Sequence, residues 1–379
     1  MNLEDQSTST CREAESASPN LVTSTAPRMR IGYSFWGFLT DGVLDTPDGG
    51  RSYRGSVIDA FQKAGHRVVF VQANRDLIEA GADLPGIYRF DDGLPELDAI
   101  IYEWRWPLPG RNTTACGLPG HTCDLHRQQQ LLDHYTYGRR LPTIIWDQDR
   151  QLPAGDLLRT CPNVRVADYA VHPGPGAITV TCPIPDHLLD TADPDQLARL
   201  PRPLPLVYVG NQYDRDDAFG RWFAPAAAQV THRVAGKWTN TSAWPHVQFT
   251  GRVGFADVAT LHSQALTTVL LMPERYRTVG AFGSRLFESV TCGCLPLTPA
   301  DVTGADAFTP PELRVRAADE VVDRIRWIAG IAGTDEHAAL IRACLDLLNP
   351  YRASRQAAVL IAALHDLAGV DRPVPSRSR

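Results

Sequence analysis

The sequence predicts an α/β protein made of two Rossmann-like, doubly wound domains facing a cleft, with a C-terminal helix packing back on the N-terminal domain. Three observations carry this expectation. Short apolar, β-branched runs recur along the chain with helical patterns between them, as buried parallel strands and their crossover helices require. The series restarts once, after a Pro/Asp-rich stretch over residues 193–205 that reads as an interdomain linker. The 379 residues are enough for two ordinary cores.

The first domain is expected over residues 29–200. It opens with residues 30–37 (RIGYSFWG), a strand running into a glycine-bearing loop that continues through Asp41, Asp45, Asp48, Gly49 and Gly50. A helix is expected over 53–64, apolar at Val57, Ile58 and Phe61 and stopped by Gly65 and His66. Further strands are expected at 67–71, 99–102, 143–146, 164–167 and 177–180. The second domain, 201–335, restarts with a strand at 206–210. It continues with strands at 231–234, 247–250, 268–272, 294–297 and 313–315. Residues 336–370 carry two helical segments, 336–348 and 353–367, parted by Asn349 and Pro350, and the last is expected to cross back over the first domain. Residues 1–28 read as a disordered Ser/Thr-rich tail and 371–379 as a loose basic one.

Composition narrows the function classes. With 44% hydrophobic and 21% charged residues the chain reads as soluble and globular, and no apolar run is long enough to span a bilayer. The start lacks the basic and apolar regions of a signal peptide, so the eight cysteines are expected as thiols in the cytoplasm. A net charge of −6 gives no global reason to bind nucleic acid, although a local basic patch stays open.

The most informative segment is residues 283–298 (GSRLFESVTCGCLPLT), read as a short helix, a glycine stop at Gly293 and a strand. Phe282, Leu286 and Val290 recur at helical spacing and should face a core, while Glu288 interrupts the apolar pattern. Ser284 is placed as N-cap, and the first-turn amides serve either the helix or an anion. A carboxylate beside a helix start suits a ribose diol next to a diphosphate. The alternative is a solvent-facing helix glutamate.

Set in order, the second half resembles the nucleotide-binding domain of GT-B glycosyltransferases, especially the spore-maturation-type and group-1 enzymes. The matching pieces are Val209, Gly210 and Asn211; Ala235, Gly236, Lys237 and Trp238; Phe249 to Val253 with Gly251 and Arg252; a short helix over 261–265; Met272 and Pro273; and Ser284 to Glu288 followed by Cys292 to Pro296. The resemblance covers residues 206–300 and touches the first half only through its glycine-bearing opening and the turn at residues 65–68. It implies that Glu288 holds the donor ribose and that Arg252 and Lys237 approach the nucleotide and diphosphate. It also implies that Gly210 and Asn211 border the donor and that the amides of Ser284, Arg285 and Leu286 face the diphosphate. The departing nucleoside diphosphate is then stabilised by a helix start and an arginine, without metal or any cofactor beyond the sugar nucleotide. One departure is clear. Many retaining members carry a glutamate eight residues before the ribose-binding one, where this chain has Gly280, and its flanking loop offers Glu274, Arg275 and Arg277 instead.

An inverting reaction needs a base on the acceptor side. The candidates are Asp41, then Glu103, then Asp147, with Asp48 and Asp149 beside them; all follow predicted strands, and all the aspartates also suit turns. Trp36, Phe38, Trp104 and Trp106 are candidates for a sugar or ring pocket or for core packing. Asp147-Gln148-Asp149 spells a metal-binding string of another fold and reads as incidental here, so no metal is assigned. Cys116, His121, Cys123 and His126 are zinc-type ligands, but their spacing fits no strong pattern, and thiols in a flexible loop are expected. The expected function is sugar transfer from a nucleoside-diphosphate sugar to a hydroxyl of a small molecule, natural product or glycan. The alternatives are hydroxymethylated DNA bases as acceptor, a nucleotide-sugar epimerase, and a non-catalytic nucleotide-sugar binder.

Overall fold

A computed structural model describes residues 27–40, 49–84, 88–110 and 112–370. Among them, the first sheet has seven parallel strands: β1 (Arg30–Ser34), β2 (Arg67–Phe70), β3 (Arg89–Phe90), β4 (Ala99–Glu103), β5 (Thr143–Asp147), β6 (Val164–Asp168) and β7 (Ile178–Thr179). Their order is β3-β2-β1-β4-β5-β6-β7. Ile31 lies opposite Val68 on one side and Ala99 on the other, which fixes the register of the central three. The second sheet has β8 (Leu204–Val209), β9 (His232–Ala235), β10 (Ala265–Val269), β11 (Leu295–Pro299) and β12 (Arg314–Val315), in the order β12-β11-β10-β8-β9.

Both sheets reverse direction beside their first strand, between β1 and β4 and between β8 and β10. Open α/β sheets bind ligands at the carboxyl ends of strands at such switch points. The expected strand at 247–250 is reduced to a single parallel bridge, Val234 to Phe249, outside β9. Counted as a strand, it gives the second sheet the same winding as the first.

Helix Arg54–Lys63 buries Val57, Ile58 and Phe61 together with Arg54. It stops where Gly65 takes φ 91°, with the Gly65 amide on the Gln62 carbonyl and the His66 amide on that of Phe61. The last helix, Ala353–Val370, buries Ala353, Ala357, Leu360, Leu364 and Leu367, one face at helical spacing, and packs on helix Arg54–Lys63. The chain returns to the first half through main-chain bonds between Ile184 and Tyr351 (2.8 Å) and between Ala353 and Ile184 (2.7 Å). One hydrophobic core therefore runs from the first sheet into the second. No described helix is long and apolar enough to cross a membrane.

Three local expectations need correction. The 193–205 stretch is not irregular throughout: Pro194–Arg199 is a helix whose start is capped by the Asp193 carboxylate on the amides of Asp195 (2.9 Å) and Gln196 (3.2 Å). Proline at the first helical position with aspartate before it is a start signal rather than a break. The short helix expected at 261–265 is Phe255–Ser263, and Ala265 already begins β10. Helix Ala318–Ile331, which buries Val321, Val322, Ile325 and Ile328, was not anticipated.

Candidate functional site

A cleft of about 370 Å³ opens where the carboxyl ends of the two sheets face each other. The first half contributes Trp36 after β1, Glu103 at the end of β4, Trp106 and Leu108 beyond it, Asp149 after β5 and Tyr169 after β6. The second contributes Gly210 and Asn211 after β8, Gly236 after β9, Leu271 to Pro273 after β10, and Ser284 to Leu286 with Glu288. Among the described lining residues are five arginines (51, 215, 252, 275 and 285) and three carboxylates (Glu103, Asp149 and Glu288), an excess of cations that suits an anionic ligand.

The cleft glycines of the second half are fixed by close approach. A Cβ on Gly210 would overlap the Arg285 guanidinium, whose Nε donates to the Val209 carbonyl at 2.6 Å. Gly236, at φ 141°, lies so close to the Gly210 carbonyl that any Cβ would collide with it. Behind these loops the rings of Tyr208, Phe219, Trp238 and Phe249 pack together, and Trp238 Nε1 donates to the Gly210 carbonyl at 2.8 Å. Asn211 Oδ1 accepts the Lys237 amide at 2.8 Å, so Lys237 helps shape the loop through its main chain. Its side chain is exposed and does not line the cleft, whereas exposed Arg252 does.

Phe282, Leu286 and Val290 are buried as expected, and Glu288 stands half-buried at the cleft wall, its Oε1 accepting the Ser52 hydroxyl of the first half at 2.6 Å. Ser284 occupies the N-cap position without a side-chain capping bond. The Leu286 amide is used locally, on the Gly283 carbonyl (3.2 Å), so it does not reach the cleft as expected.

Arg215 was missed from sequence. It folds back under the β8/β10 switch point, with Nε on the Leu271 carbonyl (3.2 Å) and Nη1 on that of Tyr213 (2.7 Å). Burial, then the Arg285 and Arg275 charges, pull its pKa below the ordinary value. Arg275 reaches the Asp214 carboxylate at 2.6 Å and Asp149 at 3.9 Å. Arg277 is held by Glu274 and Asp301, and none of these three lines the cleft.

Gly280 explains the missing glutamate. It sits at φ 70°, with the Thr303 carbonyl 2.5 Å from where a Cβ would be, so no side chain fits. Its carbonyl accepts the Val171 amide at 3.4 Å, and Tyr276 reaches Asp149 Oδ1 at 2.7 Å, so this loop docks on the first half.

The acceptor-side candidates separate. Asp41 and Asp48 lie outside the described residues. Glu103 lines the cleft but its oxygens accept Tyr33 Oη (2.8 Å), Arg54 Nε (2.8 Å) and Arg54 Nη2 (2.7 Å). Asp147 is corrected: it is buried, caps the amides of Gln151 (2.8 Å) and Leu152 (3.0 Å), and does not line the cleft. Burial raises its pKa, with those two bonds acting the other way. Asp149, two residues on, is the one that faces the cleft, so the pair makes no two-carboxylate clamp. Of the aromatics, Trp36 and Trp106 line the cleft, whereas Phe38 is buried beneath Arg51 and Arg75 and Trp104 packs on the core.

His262, 1% exposed, lies behind Glu288 and bonds its main chain. Burial and then the Arg285 charge push its pKa down from 6.5 to about 4. Between those values the unfolded chain binds the extra proton and the folded chain does not. Stability is therefore complete above about pH 6.5 and falls towards pH 4, by up to ~3 kcal/mol. His262→Asn should flatten this acid limb in urea melts at pH 7 and pH 4.5; an unchanged difference between the two would refute the assignment.

No protein-family model matches the sequence, and no curated protein matches it. Solved structures do. A DNA-modifying β-glucosyltransferase, solved with and without uridine diphosphoglucose, superposes with a TM-score of 0.60 at 12% identity over 89% of this chain and 100% of its own. The phage T4 β-glucosyltransferase with UDP and Mn²⁺ gives 0.59 at 12%, over 89% and 99%. A glycosyltransferase of avilamycin A biosynthesis gives 0.54 at 14%, over 90% and 98%. The chain has the GT-B fold. Within that fold β8 to β12 build the second sheet, and the helix Ala353–Val370 crosses back to the first half. The phage structure with Mn²⁺ also corrects the expectation that no cofactor or metal is involved.

Proposed function

We infer that this GT-B chain is a glycosyltransferase that binds a nucleoside-diphosphate sugar against its second half and passes the sugar to a hydroxyl acceptor held against the first. The observation that carries this reading is one cleft holding Glu288 beside Arg215, Arg275 and Arg285 at the β8/β10 switch point. A carboxylate accepts both hydroxyls of a ribose diol, and guanidiniums neutralise the diphosphate as it departs. Arg252 stays on the nucleotide side with Gly210, Asn211, Ser284 and Arg285, while Lys237 contributes only through its main chain, which holds Asn211.

On the acceptor side Asp149 is the carboxylate we assign as base, oriented by the Tyr276 hydroxyl. Asp149→Asn is expected to cut turnover by about 10²–10³-fold while donor affinity stays within about threefold. Parallel losses in both would remove it from that role. Among the described cleft residues no three carboxylate, His or Cys ligands converge, so a divalent cation fits here only when held largely by diphosphate oxygens. Bound in that way it would neutralise charge on the leaving group.

The acceptor is proposed to be a small molecule, natural product or glycan. The likeness to the DNA-modifying enzyme favours a second reading, a hydroxymethylated base in duplex DNA. Incubation with a panel of nucleotide sugars, with and without Mn²⁺, and with each acceptor class tests both. Acceptor-dependent release of nucleoside diphosphate and a one-sugar mass gain support transfer. Donor consumption without acceptor indicates an epimerase or hydrolase, and binding without turnover a sensor.

A further inference from the structure

A second set of chemical groups lies outside the cleft. Residues 104–123 connect β4 to the helix Asp124–Leu131, and no helix or strand forms among the described ones. Connections of more than about 15 residues without secondary structure of their own are uncommon in compact domains and are usually functional or linker segments. Cys116, His121 and Cys123 lie in this loop and His126 in the first turn of the helix. Gly117 at φ 82° and Gly120 at φ 83° turn the chain back on itself between them.

The turns bring four ligand atoms, one from each residue, within 4.8 Å of one another. Cys116 Sγ is 2.9 Å from His126 Nδ1, and Cys123 Sγ is 2.6 Å from His121 Nε2. A tetrahedral two-thiolate, two-imidazole zinc site has edges of about 3.4–3.8 Å, so small adjustments of side-chain torsions centre an ion among them. His121 Nδ1 lies 2.7 Å from the Thr114 carbonyl. A carbonyl only accepts, so Nδ1 carries a proton, and in the neutral ring the Nε2 lone pair points at the cluster. This is the outer bond that metal-bound imidazoles make. Cys123 itself holds a left-handed backbone at φ 55°, a conformation that non-glycine residues keep when surroundings enforce it.

We propose that Cys116, His121, Cys123 and His126 bind one structural Zn²⁺ ion that fastens the β4 loop to the helix Asp124–Leu131. The fold brings together four residues whose linear spacing fits no strong zinc pattern, and the proposal stands against the expectation of thiols in a flexible loop. Four protein ligands close the coordination sphere, so the ion is structural rather than catalytic. Trp106 and Leu108, in the same loop, line the cleft, so the ion also steadies the acceptor-side wall. This does not depend on the sugar-transfer reading.

The test is metal analysis of the full-length chain, purified without chelator, by inductively coupled plasma mass spectrometry. One zinc per chain is expected, falling to none in Cys116→Ser and in His126→Asn. Cobalt titrated into chelator-stripped wild-type chain should give the intense visible bands of tetrahedral thiolate coordination, a readout that holds even if a variant fails to fold. Substoichiometric zinc together with a weak octahedral cobalt spectrum would overturn the proposal. So would a Cys116–Cys123 disulfide found by peptide mapping of the purified chain.

Discussion

Replacing Glu288 by alanine should weaken nucleoside-diphosphate binding by about 10²–10⁴-fold and leave the fold intact. A hydrogen bond to a charged group contributes about 1.5–3 kcal/mol, and a ribose diol offers two to one carboxylate. At about 1.4 kcal/mol per decade, losing both predicts this range. The fold should survive because Glu288 is half-buried, while the apolar side of its helix, Leu286, Phe287 and Val290, packs inward independently of it. Its bond to the Ser52 hydroxyl spans the cleft, so the variant should also open more easily. Calorimetric titration gives the affinity, and circular dichroism melts of the same samples give the stability. An affinity within threefold of wild type would remove Glu288 from the donor site.

The second large effect falls on stability. Arg54 is 1% exposed and Glu103 3%, and they meet through two bonds of 2.8 and 2.7 Å at the β1/β4 switch point. Arg54 also donates to the Phe38 carbonyl at 2.7 Å and lies over the Phe35 ring. Arg54→Met leaves a buried carboxylate without its cation and is expected to cost about 3–5 kcal/mol. Adding Glu103→Gln removes that charge while keeping an acceptor for the Tyr33 hydroxyl, so the double variant should recover much of the loss. Urea melts of the two single variants and the double one measure the coupling. Simple additivity would show that the pair does not act as a unit.

Much of this architecture can be read from the sequence because buried parallel strands are nearly continuous apolar runs. β1, β4, β5 and β8 therefore stand out. What misled was local punctuation. Pro194 looked like a break and is a helix start, and the helix Ala318–Ile331, its apolar positions following a two-residue strand, gave no separate signal. In the site, Gly210, Gly236 and Glu288 were legible because glycine after a strand and a carboxylate in an apolar helix are both anomalies with physical causes. Asp147 and Asp149 were not separable, since which one faces the cleft depends on the turn that Asp147 caps. Arg215 could not be found at all. Its position under the β8/β10 switch point comes from main-chain carbonyls of Leu271 and Tyr213, partners that leave no trace in side-chain pattern. The four residues of the Cys/His loop could be named from sequence, but not their convergence, which comes through turns at Gly117 and Gly120.

The central claim is that the cleft between the sheets holds a nucleoside diphosphate with its ribose on Glu288. A crystal structure of the chain grown with uridine diphosphate, the nucleotide seen in the phage T4 structure, tests it most directly. The account predicts both ribose hydroxyls within hydrogen-bond reach of the Glu288 carboxylate and the diphosphate against Arg285 and Arg215. A nucleotide bound elsewhere, or ribose turned away from Glu288, would contradict it.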